Sequence, residues 1–249
     1  MPLFYLRRLT GRERSQTANR HLACFLAFIA GATNAGGYLA VRQYTSHMSG
    51  IVSAMADSVA LGDLRLAAVG LSALAAFLAG AACTAILVNW GRRRTMQSEY
   101  ALPLLVEAAL LVCFGLLGNR FEQHHLMLVS ATAALLCFTM GLQNAIITKI
   151  SRAEIRTTHV TGMITDIGIE LGKALYWNRH SEAGQVRSDN EKLRLLTSLV
   201  GLFFIGGVLG AVGFKHIGFG ATLPLAAVLV LLAAVPVLDD VSERLHELQ

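Results

Sequence analysis

The chain predicts an all-α integral membrane protein: six transmembrane helices arranged as two inverted three-helix repeats, each with an extra short polar helix. Three observations carry this reading. Hydrophobic residues make up 54% of the 249 positions and charged residues 15%, less charge than a soluble domain of this length normally carries. Apolar runs fall at about 21–41, 66–90, 101–118, 126–148, 195–214 and 220–238, each near the ~20 residues that cross ~30 Å of hydrocarbon. The chain also repeats itself. Ser46-His47-Met48-Ser49-Gly50 is answered by Thr158-His159-Val160-Thr161-Gly162, and each follows a run containing Asn-Ala (Asn34-Ala35, Asn144-Ala145). Each precedes a run with Phe-x-x-Gly (Phe77 to Gly80, Phe204 to Gly207) and then one with Leu-Pro-Leu at Leu102 and Leu223. Internal repetition in an apolar chain is common in transporter folds and directs attention to the repeat interface.

Taken in order, residues 1–20 form a basic cytoplasmic segment with Arg7, Arg8, Arg12, Arg14 and Arg20. It suits the anionic leaflet rather than nucleic acid. Repeat 1 covers 21–118 and repeat 2 covers 126–238. Residues 239–249 form a cytoplasmic tail, and the whole is one membrane domain. The first run holds Thr33-Asn34-Ala35-Gly36-Gly37, and the glycine pair predicts a break or kink there, facing the interior. Segments of about 46–62 and 158–174 are shorter and more polar than the rest. They either re-enter or lie at the interface.

Charge decides between eight crossings and six. If both short segments crossed, Arg92-Arg93-Arg94 and Lys149, Arg152 and Arg156 would lie outside, against the positive-inside bias. If they return, Arg92 to Arg94, Lys149, Arg152, Arg156, Lys173, Arg179, Arg187, Lys192 and Arg194 all lie inside, as do both termini. Only Arg42, Arg65, Arg120 and Lys215 remain outside. Each half then holds three crossings and the halves start on opposite sides, an inverted repeat of the kind that supports alternating access.

Polar groups within spans are the default site candidates, because each is costly in lipid unless paired or wet. The expected solute-binding set is Asn34, Ser46, His47, Ser49, Gly50, Gln143, Asn144, Thr158, His159, Thr161 and Gly162. Hydroxyls suit helix starts, where they accept from unpaired N–H groups. Helix N-termini favour anionic groups, and histidine titrates near neutral pH. Two capped short helices with histidines bound to a carbonyl are the plainer reading. The amides also serve to bridge helices. Asp57, Glu107, Asp166 and Glu170 are the candidates for proton or ion coupling, with Lys173 near Glu170 on a polar stripe. A solvated helix face, or a Glu107 that snorkels to the interface, is the competing account.

The four cysteines, Cys24, Cys83, Cys113 and Cys137, lie in apolar runs without ligand spacing, and His124-His125 stands without further ligands. No disulfide, metal or cofactor is expected. Gly206-x-x-x-Gly210 is a close-packing spacing, read first as packing within the chain and second as a homodimer face.

Asn34 to Leu39, Thr45 to Gly50, Phe77 to Gly80, Gly141 to Ala145 and Thr157 to Gly162, in that order, resemble the YoaK-like family of bacterial multi-pass inner-membrane proteins, a domain of unknown function. The resemblance spans roughly residues 20–238. It implies a bacterial inner-membrane location and transfers no catalytic residues.

The expected function is a small secondary transporter of a polar or anionic solute bound between the two His-containing segments. The alternatives are a non-transporting membrane scaffold or assembly protein, or a membrane-embedded enzyme acting on lipid. An enzyme is not expected, since no nucleophile elbow, His-Glu-x-x-His motif or phosphate loop is present. The expected partners are the lipid bilayer and a small solute.

Overall fold

The computed structural model describes residues 2–12, 14–41, 43–121, 127–151, 155–177 and 184–247. They form α1 (Pro2–Thr10), α2 (Gln16–Val41), α3 (Met48–Ala60), α4 (Leu64–Arg93), α5 (Ala101–Phe121), α6 (Met127–Ile150), α7 (Val160–Leu175), α8 (Asn190–Ile217) and α9 (Thr222–Glu247). A 3-10 turn, Gly218–Ala221, joins the last two. Among the described residues there is no strand. His124, His125 and Arg152 lie outside the described residues.

Four stretches are long and apolar enough to cross a membrane: Gln16–Leu39, Leu64–Arg93, Ala131–Ile150 and Asn190–Leu245, the last holding both α8 and α9. Ala101–Leu116 of α5 and Met48–Ala60 of α3 are shorter apolar stretches. Large apolar side chains such as Leu78, Ile86, Phe204 and Leu231 are exposed on the outside of the bundle, a surface suited to hydrocarbon.

The chain directions follow from side-chain contacts. Helix α2 packs along α8, and α4 along α6. Both pairs are parallel. Arg20 meets Glu191 near the start of α2 and α8, and Gly36 meets Phe214 near their ends. Thr84 Oγ1 donates to Leu142 O at 2.8 Å, and further along Lys149 Nζ donates to Asn89 Oδ1 at 3.4 Å. Helices α2 and α6 run antiparallel: Asn19 donates to Ile150 O, while Gly37 lies against Leu136. Helices α5 and α9 are also antiparallel. Thr222 Oγ1 donates to Leu111 O at 2.8 Å, and near the other end Asp240 accepts from the Gln97 and Ser98 N–H groups at 2.7 and 2.9 Å.

The parallel pairs share one device. Phe-x-x-Gly occurs in α2 (Phe28 to Gly31), α4 (Phe77 to Gly80), α6 (Phe138 to Gly141) and α8 (Phe203 to Gly206). A methyl on Gly31 would fall on the Phe203 carbonyl, and one on Gly206 on the Phe28 carbonyl; Gly80 with Phe138 and Gly141 with Phe77 repeat the arrangement. The bare Cα lets two backbones touch, which no other residue permits. The expected landmark Phe204 to Gly207 is one residue late. Phe204 points outward, 70% exposed, and the glycine that meets Phe28 is Gly206. Gly210 also faces α2, at Ala32, so the Gly206-x-x-x-Gly210 face is covered within the chain.

The expected break in the first span does not occur. Helix α2 continues through Thr33 to Gly37. Gly36 makes room for the Phe214 ring and Gly37 for Thr45, so the pair serves close approach.

Within the basic N-terminal segment, α1 is docked on α9. Arg7 holds Asp239 through two bonds of 2.6 and 2.7 Å. Thr10 Oγ1 donates to Leu232 O at 2.7 Å. Pro236 sits inside α9 and lacks the N–H that would bond that carbonyl, so the buried threonine replaces the missing donor.

Candidate functional site

The two repeated motifs start the two short helices, and the structure treats them alike. His47 is the N-cap residue of α3 and His159 that of α7, with backbone angles of φ −93°, ψ 71° and φ −83°, ψ 58°. Neither histidine side chain makes a capping hydrogen bond. The hydroxyls expected to cap the helices do other work. Asn34 Oδ1 accepts from Ser46 Oγ at 3.0 Å, and Asn144 Oδ1 accepts from Thr158 Oγ1 at 2.5 Å. In each half, an asparagine on a long helix latches the segment that leads into the short helix. The two asparagines therefore bind within their own half, whereas Gln143 of α6 reaches Glu107 of α5.

Gly50 and Gly162 have a local reason. A methyl on Gly50 would meet the His47 ring, and one on Gly162 the His159 ring. Each imidazole lies over the third residue of its helix, where glycine leaves it room. Ser49 and Thr161 are exposed, and Thr161 O accepts from Thr165 Oγ1 at 3.0 Å.

Helix α3 has 13 residues, about 20 Å. It folds back on α4 at Gly62, whose φ of +78° suits glycine, and Asp63 caps α4 by accepting from the Leu66 N–H at 2.9 Å. Met55 faces Gly70, and Met48, Ala76 and Phe77 pack around the buried Ile51, Ala73 and Cys137. The His47 end of α3 therefore reaches the level of Phe77, midway along the 30 residues of α4. An open cavity of about 330 Å³ runs along α3 beside the first turns of α4, lined by Tyr44, His47, Ile51, Met55, Ser58 and Gly70 among others. No residue of the second motif lines it. Helix α3 packs on α4 and α7 on α8, and the described lining of the His47 cavity comes from the first half.

The coupling candidates separate. Glu107 does not snorkel: it is 1% exposed, and Gln143 Nε2 donates to its Oε1 at 2.7 Å. Glu107 Oε2 and Gln143 Oε1 are buried without a partner among the described residues. Glu170, 2% exposed, is an anchor: it accepts from Lys173 at 2.9 Å and from the Asp189 N–H at 2.8 Å, and Lys192 lies 3.9 Å away. Lys192 also stands 3.6 Å from Asp166. These contacts tie α7 to the start of α8. Asp57 is exposed on α3.

Two residues that sequence reasoning passed over stand out. Thr45 and Thr157 are fully buried, and each Oγ1 lacks a partner among the described residues. Buried unpaired polar groups are few in native structures and invite a water or a ligand. Both threonines sit directly before the motif, so their repetition was the available signal.

The chain belongs to the family described as "Protein of unknown function (DUF1275)", which matches residues 22–235. It is similar to the UPF0700 transmembrane protein RA0705 of Rhizobium meliloti (strain 1021), 27% identical over 229 residues, 92% of this chain and 90% of that protein. No solved structure matches it. The molecule is thus a transmembrane protein of an uncharacterised family, as its motifs suggested.

Proposed function

We propose that the protein is a small secondary transporter of a polar or anionic solute, resident in the bacterial inner membrane with both termini cytoplasmic. In this reading α2, α4, α5, α6, α8 and α9 cross the membrane, and α3 and α7 are half-length helices that enter from opposite sides and return. The antiparallel course of α2 and α6, with the matched α2–α8 and α4–α6 pairs, supports an inverted repeat. One observation carries the reading: the same asparagine-to-hydroxyl latch occurs in each half and holds a helix N-terminus beside a buried hydroxyl that has no partner among the described residues. Broken helices with inward N-termini are how many transporters hold solutes. The His47 cavity is lined by residues of the first half, which favours one half-site per repeat. Each motif serves as its own half-site, the His47 cavity opening to one side and the His159 segment to the other.

Reconstituted vesicles supplied with a cell extract test this. A solute that accumulates with wild-type protein, and not with the His47→Ala/His159→Ala variant or in empty vesicles, supports transport at these sites. No enrichment over empty vesicles contradicts it. One observation favours a second reading, a non-transporting scaffold: Leu22, Leu26, Ile29, Leu142, Ile146 and Ile147 of α2 and α6 are at most 1% exposed and fill the core between the halves. That reading predicts the negative result together with a stable protein partner.

A further inference from the structure

The basic N-terminal segment encloses more than a topological signal. A cavity of about 760 Å³ opens between α1, the turn into α2 and the end of α9, lined by Arg7, Arg8, Arg12, Arg14, Asp239 and Glu243 among others. Four guanidinium groups face two carboxylates, and Asp239 is already held by Arg7. The balance left is two positive charges.

Arg14 is the unusual member. Its Nε donates to Asn19 Oδ1 at 2.8 Å, and its guanidinium stacks 5.2 Å from the Tyr100 ring centre. Its Nη1 and Nη2 are buried and have no hydrogen-bond partner among the described residues. Burial lowers its pKa to about 10, so it is cationic at neutral pH. The nearby carboxylate, Glu99, lies 3.5 Å from Arg92. A buried cation with two idle donors is costly unless an acceptor arrives. The paired N–H groups of a guanidinium fit two oxygens of a phosphate or carboxylate. Phe4 of α1 also lines the cavity and is 54% exposed, an apolar group at its rim.

We propose that this cavity binds a phosphomonoester, with Arg14 and Arg12 as its principal ligands. A phosphomonoester carries about −1.5 to −2 charges at pH 7, which matches the excess. The group can come from a lipid headgroup or from a soluble phosphate. The site is separate from the half-sites at His47 and His159 and does not depend on transport.

The test titrates detergent-purified full-length protein with dioctanoyl phosphatidic acid, dioctanoyl phosphatidylglycerol and inorganic phosphate, read by calorimetry. Saturable binding of phosphatidic acid, at least tenfold tighter than phosphatidylglycerol, is expected. Arg14→Gln and Arg12→Gln should each weaken it tenfold or more, and Arg65→Gln should leave it unchanged. Arg12 is exposed, so its variant remains informative if Arg14→Gln fails to fold. Binding of phosphatidic acid without inorganic phosphate identifies a lipid headgroup; comparable binding of both identifies a free phosphate group. No saturable binding by either, or binding unmoved by Arg12→Gln, overturns the proposal.

Discussion

Asn144 Oδ1 accepts a 2.5 Å hydrogen bond from Thr158 Oγ1, while its Nδ2 donates to Met140 O at 2.9 Å. One amide is thus committed to its own helix and to the segment that leads into α7. We expect Asn144→Leu and Thr158→Val each to lower stability by about 1–3 kcal/mol, because each leaves a polar partner stranded. The double variant should cost less than the sum, since it removes both partners. Thermal unfolding in detergent measures this, and simple additivity would contradict the latch.

The Phe-x-x-Gly contacts make a sharper demand. Gly31→Ala or Gly80→Ala must push two backbones apart, at a cost of about 1–3 kcal/mol or more. Gly201→Ala, with open space around its Cα, should be neutral or slightly stabilising, as alanine favours helix by up to about 1 kcal/mol. Yield and melting temperature of the folded protein separate the two classes.

The histidine rings over Gly50 and Gly162 predict a rescue. Gly50→Ala collides with the His47 ring, so it should destabilise α3. Adding His47→Ala removes the obstacle and should restore the melting temperature of the His47→Ala single variant. Absence of rescue would show that Gly50 is needed for a reason other than the ring.

Thr10 and Pro236 form a second testable pair. Thr10→Val strands the Leu232 carbonyl and should cost about 1–3 kcal/mol. In a Pro236→Ala background the carbonyl regains a donor from its own helix, and the same substitution should cost much less. A double-mutant cycle read by unfolding checks the coupling.

Helix positions, the repeated motifs and the asparagines were legible because lipid burial writes apolar runs and makes polar residues conspicuous. Their partners were not. Nothing in periodicity says that Asn34 reaches Ser46 and not a residue across the bundle. For Glu107 the sequence leaves a coupling role and snorkelling to the interface both open; the structure excludes the second. The start of α5 is itself covered, with Tyr100, Ala101 and Leu104 buried, and the Glu107 side chain is buried with it. Gly36-Gly37 was read as a break because propensity describes an isolated helix, whereas here Phe214 and Thr45 occupy the space the glycines leave. Arg14 was indistinguishable from its basic neighbours until Tyr100 and Asn19 enclosed it.

The central claim is that the two halves run in opposite directions, so the turn after α3 and the end of α7 face opposite sides of the membrane. Leu61 and Leu175 mark these points and are both 85% exposed. With the four native cysteines replaced, Leu61→Cys and Leu175→Cys are labelled in intact cells by a membrane-impermeant maleimide. The account predicts that Leu61→Cys reacts directly and Leu175→Cys only after the membrane is opened. Equal labelling of both from outside, or protection of both, would contradict it.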